Sequence, residues 1–341
     1  MSKLQEVFDL DRFSKEFDIS NNKFLNLIQK YGQPHRFYHN FKHVKSLLDQ
    51  IESLSKLDSD QKYILGIAAL FHDVIYSPFR DDNEEMSIAY FNKFVKEESK
   101  VADEVRQIIL DTKTHKPSTE LSKVFCILDT KILRSKSLTE LLQWEDSIFK
   151  EYQSYPLPMY KTKRTQFLES HYDQNPLLKD LADYISTKVY KFGLYPGSFN
   201  PFHVGHLNIL QKAENLNFDK VVVALGKNPD KEYSNFEESI KTVRGQLGFR
   251  RVVGYSSLLV DFMEVFDNDI TLIRGVRSGN DLSYEMNQLR VLEDLSHNRD
   301  LKTVMIIGSR EFSHISSSMV RGLSKFENDE HLSYLPPQYI F

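Results

Sequence analysis

KFGLYPGSFNPFHVGHLNIL, residues 191–210, decides how the second half of this 341-residue chain is read. A β-prone run leads into a turn of glycine, serine, asparagine and proline, and HVGHLNIL then takes up helical spacing. The stretch therefore predicts strand, turn and helix. Gly197 is expected to let the backbone bend sharply, and Pro201 to stand where the helix begins. A helix start offers unpaired N–H groups and a partial positive charge, which suits a phosphate. His203 and His206 are three apart, so both leave the first turn on one side, and Ser198 adds a hydroxyl donor. Taken alone, the pair reads equally as capping or surface histidines.

Working outward, VYKFGLY, KVVVAL, RRVVGY, DITLIRG and KTVMIIGS are short β-prone runs separated by helical or loop sequence. That alternation predicts a parallel sheet with crossover helices. Before residue 188 the texture differs. VKSLLDQI has helical spacing, YILGIAALFHDVIY is a nearly all-apolar run expected to be a central helix, and EMSIAYFNKFV, ADEVRQIIL and KVFCILDTKIL continue the pattern. The expected organisation is an all-α bundle over 1–188 and an α/β, Rossmann-like parallel-sheet domain over 189–341. No Gly/Ser linker marks the boundary.

Composition bounds the rest. A hydrophobic share of 40% with 27% charged residues suits globular domains with buried cores, and the net charge of −4 gives no global pull toward nucleic acid or anionic membrane. The charged start MSKLQEVFDLDRFSKEF lacks a signal peptide's apolar stretch, and no run approaches a membrane span, so a cytoplasmic protein is expected. The single Cys126 excludes an internal disulfide and, within VFCIL, reads as a buried structural thiol. The basic stretch YKTKRTQF (160–167) reads as a solvated helix face.

The turn and its histidines resemble the nucleotidyltransferase signature H-x-G-H preceded by G-S/T-F-D/N-P. More narrowly they are similar to phosphopantetheine adenylyltransferases. LIRGVRSGNDLSYE (272–285) is similar to that family's second motif and HISSSMVRGL (314–323) to its third, in the same order. The resemblance implies in-line attack of an acceptor's phosphate on the α-phosphorus of ATP, with Mg²⁺ accompanying the nucleotide. It implies that His206 meets the α-phosphate, His203 the outer phosphates, and Ser198 the attacking phosphate. Phe199 and Gly275 fall on the nucleotide side. Lys231 would reach the α-phosphate and acceptor, Arg274 and Arg277 the triphosphate and acceptor, Glu285 the ribose, and Ser316, Ser317 and Ser318 the β- and γ-phosphates. Leu258 and Leu259 match an apolar pair lining the family's acceptor channel and read equally as plain core. Leu292, Glu293 and Gly322 depart from the family's usual residues on the acceptor side. The family also implies a homo-oligomer.

In the first half, His43, His72, Asp73 and Asp129 come from three predicted helices. Two histidines and two aspartates make a mixed N/O set for Mn, Fe, Ni or Zn. Over about 20–187 the pattern resembles HD-domain metal-dependent phosphohydrolases, and Y-H-N-x-x-H at 38–43 resembles cyclic-nucleotide phosphodiesterases. That implies a general acid at His39 and a ligand at His43, expected to share a helix face four residues apart. Glu84 and His115 are weaker candidates, for water activation and for phosphate or second-metal contact, or for surface roles. Lys131 replaces the subgroup's second aspartate, which leaves a metal-bound but idle domain open.

The expected whole is a phosphohydrolase of an unknown phosphate ester fused to an ATP-dependent adenylyltransferase for 4′-phosphopantetheine, with no nucleic acid or membrane partner. Two alternatives stand beside it: another acceptor such as nicotinamide mononucleotide, and a non-catalytic nucleotide-sensing first half.

Overall fold

The computed structural model describes residue 8 and residues 10–227, 235–266, 269–296, 301–326 and 329–339. Contacts divide the chain into two units: Met1–Tyr152 with Lys161–Ser186, and Gln153–Tyr160 with Thr187–Ile340. Among the described residues, no helix is long and apolar enough to cross a membrane.

The first unit is helical: α1 (Leu10–Glu16), α2 (Asn21–Tyr31), α3 (Phe41–Ser53), α4 (Ser59–Phe71), α5 (Asn83–Phe91), α6 (Lys100–Thr112), α7 (Glu120–Asp129), α8 (Leu138–Glu151), α9 (Leu157–Glu169, whose residues 157–160 fall in the second unit) and α10 (Leu177–Thr187, of which only Thr187 falls in the second). Helix α4 is central. Asp58 and Gln61 form a capping box at its start, and every residue from Leu65 to Phe71 is buried. The apolar run continues to Tyr76, but the helix stops at Phe71. Arg36 supplies the reason, because its guanidinium takes the carbonyls of Asp73 and Val74 in place of helical partners. Val74 and Tyr76 stay buried outside the helix. The run KVFCILDTKIL likewise breaks at Thr130, where α7 gives way to a short 3₁₀ turn over Lys131–Arg134.

The second unit holds β1 (Lys191–Gly197), α11 (Val204–Glu214), β2 (Lys220–Gly226), α12 (Phe236–Leu247), β3 (Arg251–Tyr255), α13 (Leu259–Met263), β4 (Asp269–Val276), α14 (Gly279–Leu295), β5 (Thr303–Ile307) and α15 (Ser317–Leu323). All four strand pairings are parallel, in the order β3-β2-β1-β4-β5. The order reverses between β1 and β4, and in open α/β sheets ligands bind at the carboxyl ends beside such a switch. Strand β1 is buried from Phe192 to Pro196, as a middle strand covered on both faces must be. Gly248 ends α12 with φ +60°, and an added Cβ would stand 2.4 Å from the Tyr339 ring.

Residues 153–160 belong with this sheet unit. Lys220 Nζ donates to the Tyr155 carbonyl and Arg251 Nη1 to that of Ser154 at 3.1 Å. Lys220 is buried, and burial, aided by the nearby Arg251 charge, lowers its pKa to about 7.

Candidate functional site

In the second unit the turn after β1 differs in detail from the sequence expectation. Gly197 is the last strand residue and has no positive φ; the left-handed residue is Phe199, at φ +41°. Gly197 is needed for space, since a Cβ there would lie 2.8 Å from the Phe199 ring. Pro201 does not open the helix. Helix α11 starts at Val204, and His203 is its N-cap.

His203 and His206 form a reciprocal cap. His203 Nδ1 accepts the His206 backbone N–H at 3.3 Å, and His206 Nδ1 accepts the His203 N–H at 3.2 Å. The rings stack with centroids 3.6 Å apart. A nitrogen that accepts carries no proton, so each neutral ring is left with its proton on Nε2. The cap therefore makes two side-by-side Nε2–H donors. His203 is kept neutral: burial first, then the Arg277 charge, lowers its pKa to about 4.

These rings line a cleft of about 780 Å³ at the carboxyl ends of the strands. Ser198, Phe199, Leu258, Leu259, Arg274, Gly275, Arg277, Glu285, Ser316 and Ser317 line it too, with Lys227, Tyr255, Tyr284, Gln288 and Leu292, which the motifs did not single out as site residues. Ser318 is not on the wall; its hydroxyl stands 3.1 Å from that of Ser316. Of the three departures, Leu292 faces the cleft, whereas Glu293 and Gly322 do not. Lys231 lies outside the described residues.

Arg274 Nε and Glu285 Oε2 approach to 3.4 Å without hydrogen-bond geometry, and both atoms are buried with no hydrogen-bond partner among the described residues. Two such groups on a cleft wall are suited to meeting polar atoms of a ligand. Burial raises the Glu285 pKa against the pull of Arg274. Arg277 is held by Asp281 and by the Ile315 carbonyl at 2.7 Å. Helix α15 secures the turn: Ser317 Oγ donates to the Pro201 carbonyl at 3.0 Å, and Arg321 to that of Asn200. The wall thus offers fixed donors and cations, which can stabilise charge developing on a phosphate.

In the first unit, His43 stands on α3, His72 is the C-cap of α4, Asp73 follows it, and Asp129 ends α7. Ligand atoms of His43, His72 and Asp129 all lie within 4.8 Å of one another. His43 Nε2 is 2.9 Å from Asp129 Oδ1, and His115 Nε2 is 3.0 Å from Asp129 Oδ2. Non-glycine φ +51° at His115 places that ring there. His72 Nδ1 faces the Ala69 carbonyl at 3.2 Å and so donates, which leaves Nε2 as the inner atom. That buried Nε2 has no hydrogen-bond partner among the described residues, yet it stands 3.0 Å from Asp73 Oδ2 and 3.6 Å from Asp129 Oδ1. A lone pair facing two carboxylates needs a positive charge between them, either a proton or a cation. Burial opposes charge on His72, but Asp73 and Asp129 hold its pKa well above the ordinary value. Burial opposes charge on the aspartates too, and their histidine partners hold both below the carboxylate range. The donor set fits a divalent metal with mixed N/O preference.

His39 does not share a helix face with His43, because α3 begins at Phe41 with Asn40 as its cap. Even so, the two ring centroids are 6.3 Å apart. Arg36 brings the segments together by donating to the carbonyls of His39, Asp73 and Val74. Glu151, from α8, takes His39 Nδ1 at 2.6 Å. Neither Arg36 nor Glu151 was singled out from the sequence. A buried arginine in PHRFYHN is a signal in retrospect; Glu151 gives none, being separated from His39 by 112 residues. Glu84 is half-buried, and burial raises its pKa.

The model of the cytidylyltransferase-like family matches residues 194–323. A phosphopantetheine adenylyltransferase of Rhodopirellula baltica is 33% identical over 156 residues, covering 44% of this chain and 85% of that protein. Its namesake in Actinobacillus pleuropneumoniae is 38% identical over 140 residues, 40% of this chain and 86% of that protein. That of Clostridium beijerinckii is 34% identical over 154 residues, 44% of this chain and 93% of its own length. The matched residues carry the strand order, the paired histidines and the cleft described above, and through them this chain belongs to the phosphopantetheine adenylyltransferase family of cytidylyltransferase-like nucleotidyltransferases.

Proposed function

We propose that the second unit transfers AMP from ATP to 4′-phosphopantetheine, giving dephospho-coenzyme A and pyrophosphate. The observation that carries this is the reciprocal cap, whose two rings line the same cleft as Arg274, Arg277 and Ser198. A phosphate oxygen of the acceptor attacks the α-phosphorus, and the bond to the β-phosphate oxygen breaks as pyrophosphate leaves. No protein nucleophile is needed; positioning and charge stabilisation suffice. His206 donates to the α-phosphate and His203 to the outer phosphates. Arg274 and Arg277 neutralise the triphosphate, Glu285 takes the ribose, and Ser316 and Ser317 supply hydroxyls. Mg²⁺ enters with ATP as part of the substrate.

The test is pyrophosphate release with ATP, Mg²⁺ and 4′-phosphopantetheine, run beside nicotinamide mononucleotide and a His206→Ala control. Release with phosphopantetheine alone, lost in the variant, supports the reading. Release only with nicotinamide mononucleotide refutes the acceptor. Leu292 on the cleft wall is the residue that makes this second arm necessary.

For the first unit we propose hydrolysis of a phosphate ester at His43, His72, Asp73 and Asp129. The buried His72 Nε2 facing two carboxylates supports it. A divalent ion held there would polarise the phosphoryl group and ease deprotonation of water. Manganese titration, followed by release of phosphate from a panel of phosphate esters and nucleotides, tests it. Ligand binding without turnover would instead favour a sensing module.

A further inference from the structure

We propose that Lys227 and Tyr255, at the carboxyl ends of β2 and β3, hold the acceptor's phosphate as it attacks ATP. The inference rests on the adenylyl-transfer reading above and adds two residues to it.

Strand order divides the cleft into two flanks about the turn after β1. Arg274, Arg277, Ser316 and Ser317 come from β4 and the elements after it, whereas Lys227 and Tyr255 come from the ends of β2 and β3. In-line transfer sets the leaving and attacking groups on opposite sides of the α-phosphorus. Arg277 and the two serines take the outer phosphates in that reading. Pyrophosphate then leaves on the β4 side, and the attacking phosphate comes from the β2–β3 side.

Charge divides the same way. Among the described residues the cleft wall has two carboxylates, Asp281 and Glu285, both on α14. Each already stands beside an arginine: Asp281 is 3.1 Å from Arg277 Nε and Glu285 is 3.4 Å from Arg274 Nε. Lys227 has no carboxylate beside it among the described residues. An uncompensated cation on a cleft wall draws an anion, and the acceptor's phosphate must approach a triphosphate that repels it.

Tyr255 is placed by packing. Register pairs it with Gly226, the last residue of β2, and its carbonyl accepts the Lys227 backbone N–H at 2.9 Å, which ties the two residues together. A Cβ on Gly226 would stand 2.7 Å from the Tyr255 hydroxyl oxygen, so the glycine is what lets that hydroxyl lie over the end of β2. Phe262 backs the ring, with centroids 4.7 Å apart and planes at 16°. The tyrosine therefore leans from β3 over β2, the direction of the turn that carries Ser198. Both residues act by holding. The acceptor's phosphate oxygen bonds to the α-phosphorus, the bond to the β-phosphate oxygen breaks, and Lys227 and Tyr255 keep their protons throughout.

The experiment is steady-state pyrophosphate release by the full chain, with ATP and acceptor varied separately. The acceptor is 4′-phosphopantetheine, or nicotinamide mononucleotide if only that one turns over. Lys227→Gln is expected to raise the acceptor KM about 10- to 100-fold, the loss of one hydrogen bond to a charged group, and the ATP KM less than about 2-fold. Lys227→Arg, which restores the charge, should bring the acceptor KM back to within about 5-fold of native, a rescue that a merely structural position would not show. Tyr255→Phe keeps the ring and its packing and should raise the acceptor KM about 10-fold. An ATP KM that rises as much as the acceptor's assigns Lys227 to the nucleotide and overturns the inference. An acceptor KM unmoved by both Lys227→Gln and Tyr255→Phe overturns it too. In either case native protein still releases pyrophosphate, so the transfer reading stands. Native protein that releases none with any acceptor refutes that reading and this inference together.

Discussion

His203 and His206 each accept the other's backbone N–H through Nδ1, and their rings lie 3.6 Å apart. One arrangement thus starts a helix and presents two donors. His206→Ala is expected to lower pyrophosphate formation by about 10²–10³-fold, the usual loss for one preorganised donor to a developing charge. It should also cost about 1 kcal/mol of stability through the cap. Parallel activity and urea-unfolding measurements separate the two losses; activity falling only in step with folded fraction would refute the catalytic share.

His203 predicts a pH dependence. Its folded pKa of about 4 lies below the ordinary 6.5. Below pH 6.5 the unfolded ring takes a proton that the native ring refuses. Stability is therefore full above 6.5 and falls as pH drops toward 4, by up to about 3 kcal/mol from this group. His203→Asn keeps a good cap without the titration, so its loss between pH 7 and 4.5 should be visibly shallower. Identical pH slopes for both proteins would contradict this.

Gly197→Ala places a methyl 2.8 Å from the Phe199 ring, which has no slack because Tyr195, Phe202 and His206 surround it. A destabilisation of about 1–3 kcal/mol is expected, typical of overpacking. Adding Phe199→Leu should return part of it in a double-mutant cycle. Purely additive effects would exclude the clash.

Asp129 receives His43 on one oxygen and His115 on the other. Asp129→Asn is expected to weaken manganese binding at least about 100-fold by calorimetry. His115→Ala, removing a half-exposed ring, should change it far less. Equal effects would make His115 a ligand of the same rank.

Arg36 joins three carbonyls from two segments. Arg36→Lys keeps the charge and loses the fork, and should cost about 2–4 kcal/mol in thermal or urea unfolding. A neutral outcome would show that the clamp is dispensable.

The five strands were legible as short β-prone runs between polar stretches; β1 and β2, buried along almost their whole length, need no alternation, while β3, β4 and β5 are mostly half-buried. The cleft wall was legible where motif residues sit at strand ends, as Ser198, Arg274 and Arg277 do. Lys227, Tyr255 and Gln288 escaped because they reach the wall only through the packing of β2, β3 and α14, whereas Leu292, marked in the sequence as a departure on the acceptor side, does line it. The end of α4 at Phe71 escaped because the partner replacing its helical hydrogen bonds, Arg36, lies thirty-odd residues earlier. The role of Gly197 was misplaced because a Phe ring, not a backbone angle, sets the requirement. Periodicity reports which face is buried; it does not report which distant side chain closes a turn.

The Ser154 and Tyr155 carbonyls that receive Arg251 and Lys220 bear on how the gene can be cut. A fragment begun at residue 188 leaves those eight residues behind, and a buried lysine and arginine then lose the oxygens they were built against. Such a fragment should express poorly unless Lys220 is also made apolar. A version that carries 153–160 by circular permutation should fold, so the reading frame of an independent transferase is not a single contiguous stretch of this sequence.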